Sequence, residues 1–224
     1  MARQIDDLVR GQFGEDTDPA EVTPRIVETL QRYASTLTSW AGSVADRMIL
    51  DVDRLDRQEW MSRSEEIGRG LMDEILHAPT GEAFRDIQAR QVALIRSLPT
   101  DAAERVQKLA MEAVVGGTRA KDVAAEIMRT GEVTKSRANL IAVTEVSRAQ
   151  TGLVQARSMF VGSVEYDWIT AGDTDVRPDH RRLSGKIIRW DDPPIADTRN
   201  GARAHAGCIY RCRCWAKPRI PGVN

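Results

Sequence analysis

Up to Phe160 the apolar residues recur at steps of three and four, and beyond it they alternate, so the pattern marks a helical part followed by a part built of short strands. Thr23 can cap a helix with Pro24 in its first turn. Leu30, Ala34, Leu37, Ala41, Val44 and Met48 then make one apolar face close to a heptad seam. Such a seam needs a partner, and residues 56–77, with Trp60, Ile67, Leu71 and Ile75, read as its antiparallel return, although Gly68 and Gly70 weaken a helix there. A helix over residues 81–97 is expected to end at Pro99. Asp101 with Glu104 makes a capping box for the next helix, which stops at Gly116 and Gly117. A shorter helix over residues 121–129 stops at Gly131. Thr134 can cap a last helix to about Phe160, with Ala142, Val146, Ala149, Leu153, Ala156 and Phe160 as its stripe and Glu145 and Arg148 spaced to pair on its surface.

After Phe160 the character changes. Residues 164–170 alternate as a strand, with Val164, Tyr166, Trp168 and Thr170 on one face, and residues 186–190 form a second strand ended by Asp191, Asp192, Pro193 and Pro194. Five of the nine prolines fall in this last segment. The expected fold is α+β: an N-terminal helical bundle or stalk over residues 1–115, then a small mixed domain with short strands and a Cys/His cluster over residues 116–224. The sequence contains no internal repeat and no low-complexity segment.

Composition narrows the class. With 224 residues, 42% of them apolar and 29% charged, the chain is long enough to bury a core and too apolar to be disordered. No apolar run approaches a membrane span, and the N-terminus carries no secretory pattern, so assembly in a cytoplasm is expected. The net charge of -1 hides an asymmetry: residues 1–160 hold 21 basic against 25 acidic side chains, and residues 161–224 hold 11 against 8. The last acid is Asp197. Arg199, Arg203, Arg211, Arg213, Lys217 and Arg219 follow without a counter-charge, beside Tyr210 and Trp215, which makes them candidate contacts to DNA phosphates or else a solvated terminus.

Two clusters carry candidate chemistry. Between the strands lie Asp173, Asp175, Arg177, Asp179 and His180, a set a metal-dependent hydrolase can use and a set that turns and surface ion pairs use more often. The stronger signal is His205, Cys208, Cys212 and Cys214. Cys212 and Cys214 share a face of an extended segment, a turn at Gly207 can bring Cys208 alongside, and Arg211 and Arg213 favour thiolate. A structural zinc held by the three cysteines with His205 or His180 as the fourth ligand is expected. A disulfide from Cys208 to Cys212 or Cys214, or three reduced thiols, are the alternatives. His77, at a helix end, reads as a partner of the helix dipole.

Taken in order, several pieces resemble the phage Mu protein F-like head morphogenesis family: Ala142 to Glu145 with Arg148 late in a helix, Trp168 to Asp173, Asp175 to Gly185, Asp192 to Pro194, and His205 to Cys214. The resemblance covers residues 116–218, and Cys212-Arg213-Cys214 fits the family's final motif, whereas Cys208 standing four residues before Cys212 departs from its commoner form. The resemblance implies a minor capsid protein of a tailed double-stranded DNA phage. Such a protein is assembled in the bacterial host cytoplasm and carried in the virion at the portal vertex inside the capsid, where it serves head assembly and DNA packaging or ejection. Its implied partners are the portal protein, the major capsid protein and phage DNA, with no membrane and no enzymatic activity. On this reading the N-terminal helices dock on the portal or shell. A metal-dependent nuclease using Asp173, Asp175 and His180 is the alternative, and a DNA-binding accessory protein outside the virion is a third reading.

Overall fold

The computed structural model describes residues 1–12, 19–116, 125–127 and 129–223. Helices α1 (Ala2–Arg10), α2 (Pro19–Thr36), α3 (Thr38–Ser62), α4 (Ser64–Ile67), α5 (Arg69–Leu76), α6 (Gly81–Gly116) and α7 (Thr130–Phe160) precede the first strand. Then come β1 (Glu165–Ile169), α8 (Pro178–Leu183), β2 (Ile187–Arg189), β3 (Ile195–Asp197), β4 (Ala202–Arg203) and β5 (Trp215–Pro218). The α+β class expected from the periodicity is the one observed. Among the described residues no helix is long and apolar enough to cross a membrane.

The chain forms two compact units. One comprises residues 1–44 and 90–141, the other residues 45–89 and 142–224. Helices α3, α6 and α7 each give residues to both units. The first unit buries Ile5 and Val9 of α1, Val22, Ile26 and Leu30 of α2, Ala102, Ala103 and Val106 of α6, and Ile127. In the second, α3, α6 and α7 bury Ile49, Val52, Ile87, Ala149 and Leu153 together, and Trp60, Met72 and Ile75 pack against Ile220.

Several helix boundaries differ from the pattern-based expectation. Helix α2 begins at Pro19, so Thr23 and Pro24 lie inside it. The seam of Leu30, Ala34, Leu37 and Ala41 is buried but continues through Ala45, Ile49 and Val52, while Val44 is exposed and Met48 half-buried. A strict heptad drifts against 3.6 residues per turn, and a run of four-residue steps corrects it. The return over residues 56–77 is not one helix: α3 runs to Ser62, and Gly68 at φ 86° separates α4 from α5. Pro99 does not end a helix either. It sits within α6, flanked by the buried Leu98, Ala102 and Ala103, and Asp101 pairs with Arg137 at 2.6 Å instead of capping. Thr134 lies inside α7, its hydroxyl donating to the Thr130 carbonyl at 2.8 Å. Most of the helix expected over residues 121–129 lies outside the described residues. On α7 the buried face carries Thr144, Glu145, Thr151, Arg157 and Ser158 beside Ala149 and Leu153, whereas Val146 and Phe160 are exposed, because these polar groups find partners inside the unit.

The strands are the two expected, somewhat trimmed, with three more. β2, β1 and β5 make an antiparallel sheet in that order, and β3 pairs with β4. Tyr166 and Trp168 face inward from β1 with no exposed surface, over Leu183, Ile188, Trp190, Ala196 and Ala206. Tyr166 pairs with Ile188 on one side and Pro218 on the other, and Trp168 with Ala216. The Arg219 N–H donates to the Glu165 carbonyl at 3.0 Å, which sets the phase of the ladder: Ala216 and Pro218 turn their main-chain groups away from β1.

Candidate metal centre

Helix α8 starts with Pro178 at its first position, where a missing N–H costs nothing, and buries His180 and Leu183 one turn apart on the same face. Asp179, next to His180, accepts hydrogen bonds from the N–H and hydroxyl of Thr198 at 2.9 and 3.0 Å, anchoring α8 to the turn after β3. Those bonds hold the Asp179 carboxyl below the usual carboxylate range. The His180 ring stands edge-on to Trp168, with centroids 5.5 Å apart at 66°. Arg177, at the N-terminal end of α8, donates to the Tyr210 carbonyl at 2.6 Å and so ties the helix to the cysteine segment.

In that segment Cys212 and Cys214 alternate with the exposed Arg213, and both thiols turn inward, 3% and 7% exposed. His180 Nδ1 lies 3.4 Å from Cys212 Sγ and 3.5 Å from Cys214 Sγ. The three donor atoms all lie within 4.8 Å of one another and all three residues are buried. A tetrahedral zinc with Zn–S near 2.3 Å and Zn–N near 2.0–2.1 Å requires S···N separations of about 3.6 Å, which these distances meet. His180 Nε2 is buried with no hydrogen-bond partner among the described residues, so the ring's polar function is spent through Nδ1. Cys212 is held well below the usual thiol range because Cys214 and His180 hydrogen-bond its sulfur, and the same proton-sharing pushes Cys214 up. A donor set of two sulfurs and an imidazole, one sulfur already disposed to ionise, suits a thiophilic divalent ion. Cys214 also borders a groove of about 250 Å³ walled by Trp60, Thr151 and Trp215.

The expected ligands thus divide. His180, Cys212 and Cys214 converge, and His205 and Cys208 stand outside that group. His205 Nδ1 is 3.1 Å from the Tyr166 hydroxyl, and burial lowers its pKa. Burial likewise raises the pKa of Tyr166. All three cysteines are free thiols, so neither proposed disulfide is present.

Asp173 and Asp175 meet Arg213, at 2.7 and 3.5 Å, and Asp173 Oδ1 accepts the Asp175 N–H at 3.1 Å. The basic tail that lacks counter-charges in the sequence finds them by folding back. Arg199 pairs with Asp197 at 2.6 Å, Arg203 with Asp192, Arg213 with Asp173, and Arg219 with Asp167 at 2.9 Å. Among the described residues Arg211 and Lys217 are exposed and have no ion pair.

Residues read from the sequence as a surface pair and as a turn also build the site. Glu145 and Arg148 do pair, at 2.5 Å, but Glu145 is 2% exposed, so this is not a surface contact. Gly207, at φ 81°, lies so close to α7 that a Cβ would stand 3.0 Å from Thr151 Oγ1 and 3.1 Å from the Cys214 carbonyl oxygen. The sequence signal for it was the glycine itself, one residue before Cys208.

Residues 104–216 match the family described as Phage Mu protein F like protein. A protein of Haemophilus influenzae described as uncharacterized is 31% identical over 192 residues, which cover 84% of this chain and 42% of that protein, so the chain spans less than half of its relative's length. No solved structure matches the chain. The match extends over half of the sequence and includes α7, β1, β2 and the His180, Cys212 and Cys214 cluster, and on these grounds the chain belongs to the phage Mu protein F-like family.

Proposed function

We propose that this chain is a non-catalytic minor component of the phage head, acting at the portal vertex in head assembly and in DNA packaging or ejection. Its helical part docks on the portal protein or the inner shell, and its C-terminal module, stapled by zinc, faces the packaged DNA. The observation that carries the metal half of this reading is the convergence of His180 Nδ1 with two buried sulfurs at 3.4 and 3.5 Å, donors supplied by two separate elements. His180, Cys212 and Cys214 would hold the ion, which when bound supplies a cross-link between α8 and the segment entering β5. The sheet around it has only three short strands, and modules this small commonly need such a staple. Family membership supports the head assignment.

A metal-dependent nuclease is the second reading, because three protein donors leave a tetrahedral ion one open position, as catalytic sites do. Against it, His180, Cys212 and Cys214 are at most 7% exposed, and the carboxylates of Asp173 and Asp175 are engaged by Arg213. Two measurements test the proposal. Mass spectrometry of purified virions is expected to find the protein in few copies, and its absence would overturn the head assignment. Metal analysis is expected to find one zinc per chain, lost on changing Cys212 and Cys214 to Ser, while plasmid DNA incubated with the protein and zinc, magnesium or manganese stays intact. Cleavage abolished by His180→Ala would establish the nuclease instead.

A further inference from the structure

Helix α7 grips the cysteine segment at three successive points. Thr151 Oγ1 donates to the Ala206 carbonyl at 2.7 Å, Arg148 Nε donates to the Cys208 carbonyl at 2.7 Å, and Thr144 Oγ1 accepts the Arg211 N–H at 3.3 Å. Residues 144, 148 and 151 are four and three apart, so they stand in a row on one side of the helix. Arg148 is itself steadied, with Glu145 at 2.5 Å and the Tyr210 ring 5.8 Å from its guanidinium carbon.

The rung at Thr144 falls on an unusual residue. Arg211, at φ 52°, is the single non-glycine with positive φ among the described residues. A residue with a Cβ resists that left-handed backbone unless its surroundings impose it. The turn there directs the chain into Cys212 and Cys214, the next two inward-facing residues, and brings both sulfurs to His180 Nδ1.

We infer that Thr144, Arg148 and Thr151 are positioning residues of the metal centre, holding the 206–211 backbone and its left-handed turn at Arg211 in the shape that presents Cys212 and Cys214 to His180 as a ready pair. The inference rests on the metal reading given above. It assigns to the α7 motif a task distinct from surface pairing: preorganising a ligand pair several residues along the chain from its own contacts. The ligands then meet the ion without having to order the loop first.

Cobalt(II) serves as the probe, added to the full chain, with the thiolate-to-cobalt charge-transfer band and the visible bands of a tetrahedral site as readouts. Thr144→Val and Arg148→Gln are expected to keep the band positions and the helical circular dichroism but to bind cobalt about ten-fold or more weakly, the scale of outer-shell losses in metal sites. Adding Arg211→Gly to Thr144→Val is expected to restore most of that loss, because glycine takes a positive φ without help. Arg211→Gly alone is expected to bind within about two-fold of the unaltered chain, and it remains informative if an α7 variant does not fold. Unchanged affinity in both α7 variants overturns the inference. So does failure of Arg211→Gly to restore Thr144→Val, or loss of binding in Arg211→Gly alone. A chain without substitutions that gives no thiolate–cobalt band overturns the metal reading itself.

Discussion

The guanidinium of Arg157 on α7, with no exposed surface, is hydrogen-bonded to the carboxylate of Asp56 on α3, a residue 101 positions earlier, and also to Asp53. A charge this deep is tolerated only while its partners remain. Arg157→Met is therefore expected to destabilise the protein by about 3–5 kcal/mol, since it strands the Asp56 carboxylate inside the unit, whereas Asp53 keeps Arg57 at 2.9 Å. Adding Asp56→Asn is expected to recover part of that loss. Urea unfolding midpoints of the two variants check it, and strictly additive losses would show that the two residues are not coupled.

Stability should also respond to pH through Asp56, whose pKa burial raises from 3.8 to about 6 against the opposing pull of Arg157. The folded state then holds the proton more tightly than the unfolded chain. This contribution is fully present below about pH 4 and is lost as the pH rises to about 6, a change of about 2–3 kcal/mol. Asp56→Asn mimics the protonated form. The difference in unfolding free energy between the Asn variant and the unaltered protein is expected to move by that amount in favour of Asn from pH 4 to pH 7. A difference that stays constant would mean that Asp56 ionises in the fold as an ordinary carboxylate does.

The histidines separate the two ligand assignments. His180→Ala is expected to abolish stoichiometric zinc binding and to leave the strand module open to protease, while His205→Ala keeps the zinc and loses the contacts to Tyr166 and Trp190. Zinc content after dialysis and limited proteolysis read both effects. Equal zinc loss in the two variants would return His205 to the ligand set.

DNA binding, if measured against salt, is expected to be shallow. Arg199, Arg203, Arg213 and Arg219 already pair with carboxylates, which leaves Arg211 and Lys217 as the cations without an ion pair in this stretch. Two phosphate contacts give a slope of log K against log salt near about -2, whereas engagement of all six side chains gives about -5. Fluorescence anisotropy on a short duplex distinguishes them, and Lys217→Ala is expected to remove about one unit of slope.

Much of this was legible in the sequence. Alternation marked β1, the period-3.6 stripe marked α2 and α3, and the spacing of Cys212 and Cys214 placed their sulfurs on one face. Pattern reading fell short where the deciding interaction was distant in the chain. Pro99 is accommodated within α6 beside buried neighbours that no local rule registers. That His180 rather than His205 lies beside the two sulfurs depends on where α8 lies against Trp168, a contact between residues 12 positions apart. Counter-charges for the basic tail were invisible for the same reason, since Asp167 and Arg219 are 52 positions apart. Arg148 read as half of a surface pair with Glu145, and only the returning chain shows what it, Thr144 and Thr151 hold.

Pro218 occupies the outer rim of the three-stranded sheet, at a position whose backbone nitrogen points away from β1 and carries no hydrogen. That rim borders the groove lined by Glu59, Trp60 and Val154, so the missing hydrogen leaves no main-chain donor unsatisfied beside those helices. One ring closure in a four-residue strand thus removes a donor that the helices beside it would otherwise have to satisfy.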